Sequence, residues 1–206
     1  MKMSTNSNRT LAVALLAVAF AAMSSAMAQA GPITYTAVLN GANETPPIAS
    51  PGTGFATVVY DDVAHTMLVS ATFQDLLGTT TAAHIHAATA VAGTGTAGVA
   101  TTTPTFPVGV TSGSYSSLFD LTLASSYSSG YLNNAINLGN VTTAEASLAQ
   151  ALVDGTAYFN IHTTFAPGGE IRGFLQPVPE PGSSIVLLGL GVAGLAARRL
   201  RRRWLR

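Results

Sequence analysis

The chain has 206 residues, room for one ordinary domain plus targeting segments, and no cysteine, which excludes disulfides and thiolate metal sites. Its formal charge is balanced only on paper: of the nine basic residues, two stand in the first ten positions and six in the last nine. Arg172 alone remains between them with all nine acidic residues, so the interior is acidic and would repel nucleic acid. Charged residues are scarce, and Gly, Thr, Ser and Ala abundant. That composition suits a turn-rich β-sandwich better than a helical bundle.

In chain order, residues 1–30 read as a secretory signal. Lys2 and Arg9 precede an apolar run from Leu11 to Ala22, and Ala28-Gln29-Ala30 supplies the small-residue pattern that signal peptidase cuts. Residues 31–176 alternate as half-buried strands do. Strands are predicted over Ile33–Leu39, Thr53–Tyr60, Thr66–Phe73, Thr81–Ala87 and Ser114–Leu123, with a turn at Asp61-Asp62. The Gly/Thr/Pro-rich stretch before Ser114 reads as loop or irregular edge.

Tyr131–Ile136 and Thr143–Val153 look helical, the second with Thr142 or Thr143 as N-cap, Glu145 in its first turn and Gly155 past its end. Thr156–Thr163 and Glu170–Leu175 form a last hairpin around Pro167-Gly168-Gly169. The expected fold is mostly β: a Greek-key or immunoglobulin-like β-sandwich with a short helical insertion. An N-terminal signal helix and a C-terminal hydrophobic helix flank it.

Two histidines two apart on a strand leave by one face, so His84 and His86 do, while Ile85 faces the core. On the last hairpin His162 leaves by the face opposite Phe159 and Ile161. If these strands are neighbours, three imidazoles converge, a set that suits zinc or copper. The alternative is that the three rings bond to backbone or carboxylates and fix loops. His65, beside Asp61-Asp62, reads as solvated. Arg172 needs a carboxylate if buried; Glu44 is favoured as a structural clamp, and Glu170, on the same strand face, is the other candidate. Neither a Gly-rich phosphate loop after a strand nor a G-x-S-x-G elbow occurs.

Ala83-His84-Ile85-His86, Tyr158–Thr163, Pro167–Gly173 and the Glu44-Thr45-Pro46-Pro47 element resemble the CHRD domain, a module named after chordin and found in bacterial exported proteins. The resemblance runs over residues 33–175 and implies a β-sandwich without an assigned activity. It points to a non-enzymatic binding or structural module, with a copper or zinc histidine site as the alternative. The His-x-His strand and lone arginine are also similar to copper-zinc superoxide dismutases, but the chain lacks their further histidines, zinc-site ligands and disulfide.

Residues 177–206 open on Pro179-Glu180-Pro181, continue without charge from Ser183 to Ala197, and end on Arg198, Arg199, Arg201, Arg202, Arg203 and Arg206. Fifteen helical residues span about 22 Å, short for a ~30 Å bilayer core, though flanking arginines can snorkel. The basic end places the C-terminus in the cytoplasm. The three parts in order resemble the PEP-CTERM sorting signal of Gram-negative bacteria. That implies an exosortase as processing enzyme, transient membrane anchoring, and delivery to the cell surface or an extracellular matrix, with exopolysaccharide or envelope components as partners.

Overall fold

The computed structural model describes residues 31–179. The expected signal sequence 1–30, Glu180, Pro181, the uncharged segment 183–197 and the terminal arginines lie outside the described residues; Pro179 is exposed at their edge. No helix among the described residues is long and apolar enough to cross a membrane.

The strands are β1 (Ile33–Asn40), β2 (Thr53–Asp61), β3 (Thr66–Gln74), β4 (Thr80–His86), β5 (Val99–Thr102), β6 (Gly113–Asp120), β7 (Tyr158–Thr163), β8 (Ile171–Phe174) and β9 (Gln176–Pro177). Two helices, α1 (Ser129–Leu132) and α2 (Val141–Val153), lie between β6 and β7. The fold is mostly β, as the alternation indicates. All strands join one curled antiparallel sheet in the order β5-β4-β7-β8-β1-β2-β3-β6, with β9 beside β1. The chain leaves β3 for the far end of the sheet at β4 and returns from β5 to β6, so these two crossovers bring distant segments together.

Alternation decides which side chains fill the concave core. Tyr35, Ala37 and Leu39 of β1, Val58 of β2, and Met67 and Val69 of β3 are buried there with Ile85, Phe159 and Ile161. Leu148 and Leu152 of α2 join the same cluster. Burying these eleven side chains and their neighbours supplies the main stabilisation in a chain without disulfides.

Local chemistry moves three predicted boundaries. Asn140 caps α2, its Oδ1 accepting from Thr142 N at 2.9 Å and Thr143 N at 3.3 Å. The helix therefore starts before either threonine, and Glu145 lies beyond its first turn. Gly155 follows the helix with φ +65°, the left-handed position glycine tolerates. In place of a helix over 131–136, Ser128 accepts from Tyr131 N at 3.1 Å and starts the short α1. Within the Gly/Thr/Pro-rich stretch, Val99–Thr102 pairs with β4 as edge strand β5.

Candidate metal centre

Strand register assembles the site. On the outer face, β4 and β7 set Ala82 opposite His162, His84 opposite Asn160 and His86 opposite Tyr158. β8 extends two of these rows, with Arg172 beside Asn160 and Phe174 beside Tyr158. Directly opposed residues in an antiparallel pair share a face. The alternation that buries Ile85, Phe159 and Ile161 therefore gathers three imidazoles, an amide, a phenol and a guanidinium on the other side.

His84, His86 and His162 each offer a ring nitrogen, and these atoms lie within 4.8 Å of one another. His86 is buried, and His84 and His162 half-buried. His86 Nδ1 lies 2.9 Å from the Ala97 carbonyl, and His162 Nδ1 2.9 Å from the Pro167 carbonyl. A carbonyl only accepts, so each Nδ1 carries a hydrogen, and each neutral ring then presents a bare lone pair at Nε2. These two Nε2 atoms stand 3.4 Å apart.

Two facing acceptors at that distance require a proton or a metal ion between them. Burial works against the proton: it is the main cause holding His86 and His84 down at about 4. For His86 the Ala97 carbonyl pulls upward, and neighbouring His162, His84 and Arg172 push it down again. His162 is lowered too, by burial against the opposing pull of Pro167. A metal ion fits instead. With Zn–N bonds of ~2.0–2.1 Å, tetrahedral imidazole nitrogens stand about 3.4 Å apart. The widest spacing in the trio exceeds this, so His84 must turn inward to complete the set. Its Nδ1 is buried without a partner.

Arg172, 2% exposed, lies beside this trio. Its Nε donates to the Asn43 carbonyl at 2.5 Å and its Nη2 to Thr45 Oγ1. Glu44 Oε2 is 3.6 Å from Nε, a charge contact. Burial raises the Glu44 carboxyl to about 7 against the pull of Arg172 and the Thr45 amide. Glu44 Oε1 and Asn160 Oδ1 are buried without partners, and both lie within 2.7 Å of the point where a Cβ on Gly169 would stand.

A CHRD domain matches residues 35–175, and a PEP-CTERM protein-sorting motif matches 177–203. The chain belongs to the CHRD-domain family. No curated protein and no solved structure matches it. CHRD domain and sorting motif together make it an exported protein, processed by an exosortase-type system and directed to the cell surface or extracellular space.

Within the CHRD domain, Glu170 does not pair with Arg172. Its oxygens accept from Ser50 Oγ and Leu77 N at 2.6 Å, Gly78 N at 3.1 Å and Thr163 Oγ1 at 2.6 Å. Burial works to raise this carboxyl, but the four hydrogen bonds outweigh it and hold it below its ordinary value. Glu170 thus pins the β3–β4 connection to β8. His65 is also engaged: half-exposed, its Nδ1 lies 2.9 Å and 3.0 Å from the two Glu145 oxygens, and Tyr60 donates to the same carboxylate at 3.2 Å. Asn160 and Tyr158 belong to the site and are missed by a search for ligand residue types. Their two-residue spacing from His162 on β7 was the signal that could have found them.

Proposed function

We propose that the CHRD domain of this chain acts outside the cell as a non-enzymatic binding or structural module that holds one zinc or copper ion at His84, His86 and His162. The reading rests on one observation: two Nε2 lone pairs, one on buried His86 and one on half-buried His162, face each other at 3.4 Å, with both Nδ1–H groups committed to backbone carbonyls. That is the outer-shell pattern of histidine ligands, in which the second nitrogen's hydrogen bond fixes tautomer and ring direction. Three imidazoles without a thiolate or carboxylate match the preferences of zinc and copper, not of calcium or magnesium.

A second reading, a metal-dependent activity, is favoured by the ligand count alone. Three protein ligands leave a fourth position open, where a bound ion supplies Lewis-acid chemistry. Before processing, the uncharged segment 183–197 would anchor the chain transiently in the inner membrane. The mature domain would then meet envelope or exopolysaccharide components at the surface.

Metal analysis of the full-length protein tests the proposal. One equivalent of zinc or copper is expected, with a rise in Tm on adding the ion. Saturation to a hundred times Kd stabilises by about 2.7 kcal/mol. A protein that stays metal-free, with an unchanged Tm in excess zinc and in excess copper, contradicts it.

A further inference from the structure

Tyr158 faces His86 across the β4–β7 register. The two rings stack with centroids 4.8 Å apart and planes 5° apart. The same two side chains also hold the backbone of one residue, Ala97, through the two successive peptide groups it joins. Tyr158 Oη accepts from Ala97 N at 3.2 Å and lies 3.4 Å from Ala97 O, the carbonyl to which His86 Nδ1 donates. On β8, the Arg172 guanidinium carbon lies 4.7 Å from the centre of the Tyr158 ring. Arg172 is itself fixed by Asn43 and Thr45.

A histidine held by a single hydrogen bond can swing about its last torsion, which is broad. Parallel stacking removes that freedom, and the phenol keeps the accepting carbonyl in place. Both constraints act on where Nε2 points. We propose that Tyr158 is a positioning residue of the histidine centre, aiming His86 Nε2 at His162 and holding the backbone of Ala97, whose carbonyl sets the His86 tautomer. This inference rests on the metal reading above. It adds that the centre is preorganised from β7 and β8, with the Arg172 cation seated on the tyrosine ring. It also gives Tyr158, 2% exposed, a task that core packing does not require: the residue stands on the outer face, opposite the core row of Phe159 and Ile161.

The test compares Tyr158→Phe and Tyr158→Leu with wild type in the full-length protein. Zinc affinity is measured by chelator competition at one pH, folding by circular dichroism and Tm, and the His86 tautomer by nitrogen NMR of the metal-free protein. Tyr158→Leu is expected to weaken zinc by roughly 10–100-fold, the range for lost outer-shell partners. Tyr158→Phe keeps the stack but loses the Ala97 contact, and should fall between wild type and Leu. In metal-free Tyr158→Leu, His86 should exchange between tautomers where wild type holds Nδ1–H.

Folded variants that bind zinc within twofold of wild type, with a lowered Tm alone, overturn the inference and leave the metal reading standing. If the Leu variant does not fold, the Phe variant decides by the same criterion. A wild-type protein that binds no zinc sinks the metal reading instead, and the tautomer measurement then decides by itself whether Tyr158 orients His86.

Discussion

The two halves of the sheet obey the same alternation, yet their outer faces differ. On the β1-β2-β3-β6 half, register lines up Thr36, Thr57, Ser70 and Ser116, with Ser70 and Ser116 hydroxyls 3.0 Å apart. Val38, Phe55 and Leu118 on that face stand in solvent. On the β4-β7-β8 half, the outward residues are Ala82, His84, His86, Tyr158, Asn160, His162, Arg172 and Phe174, and none is exposed. Three loops make the difference. The segment after β1 folds back through Ile48 N to Gly41 O at 2.8 Å, the loop after β4 brings Ala97, and the loop after β7 brings Pro167. Alternation decides which way a side chain points; loop cover decides whether it meets water. Chemistry gathers where polar outward residues are also covered.

The comparison can be broken in graded steps. Arg172→Ala should have the largest effect on stability. It strands Glu44, the Asn43 carbonyl and the Thr45 hydroxyl, and loss of one partner of a buried pair costs about 3–5 kcal/mol, read as a drop in urea midpoint. His84→Ala/His86→Ala should weaken zinc or copper binding at least about 100-fold, roughly 2.7 kcal/mol, by competition titration. Removing the ligands should leave the fold intact in circular dichroism, because both side chains are off the core face. On the opposite half, Thr57→Ala/Ser70→Ala should change stability by no more than about 0.5 kcal/mol and leave metal affinity untouched. A comparable loss on both faces would erase the distinction.

pH separates the two charged devices on the covered face. His84 and His86 titrate at about 4 when folded against an ordinary 6.5. The unfolded chain then takes up protons that the folded chain refuses. Their contribution is present above pH 6.5 and is lost as pH falls toward 4. Glu44 runs the other way: raised from 4.5 to about 7, it favours the folded state below 4.5 and loses that contribution as pH rises through 7. Between pH 7 and 5 the two oppose each other in the metal-free protein. Glu44→Gln should therefore make stability fall more steeply with acid than in wild type, and His84→Ala/His86→Ala should flatten the fall. Identical slopes in all three proteins would contradict both assignments.

Much of this was legible in the sequence, for a physical reason. The two-residue period of a strand needs no tertiary information, so the faces of His84, His86 and His162 followed from spacing alone. The low cation count made Arg172 conspicuous, and Glu44 does lie beside it. What could not be read depends on loops. Nothing local says that Ala97 and Pro167 carbonyls meet the two Nδ1 atoms, or that Glu170 turns from Arg172 to Ser50, Thr163 and two backbone amides. The stretch before Ser114 reads as loop or irregular edge, and only the bounds of edge strand β5 stay unread, because four residues, Val99–Thr102, pair inside a turn-forming composition. His65 looked solvated because its partner Glu145 is 80 residues away.

Nitrogen NMR of the histidine side chains in the full-length protein, titrated with zinc, bears most directly on the central claim. At neutral pH His86 and His162 should carry hydrogen on Nδ1 and none on Nε2. Both Nε2 signals should move together and stop at one equivalent of zinc, while the Nδ1–H signals persist. Protonated Nε2 on either ring before zinc is added, or Nε2 signals unmoved by excess zinc and by excess copper, would contradict that claim.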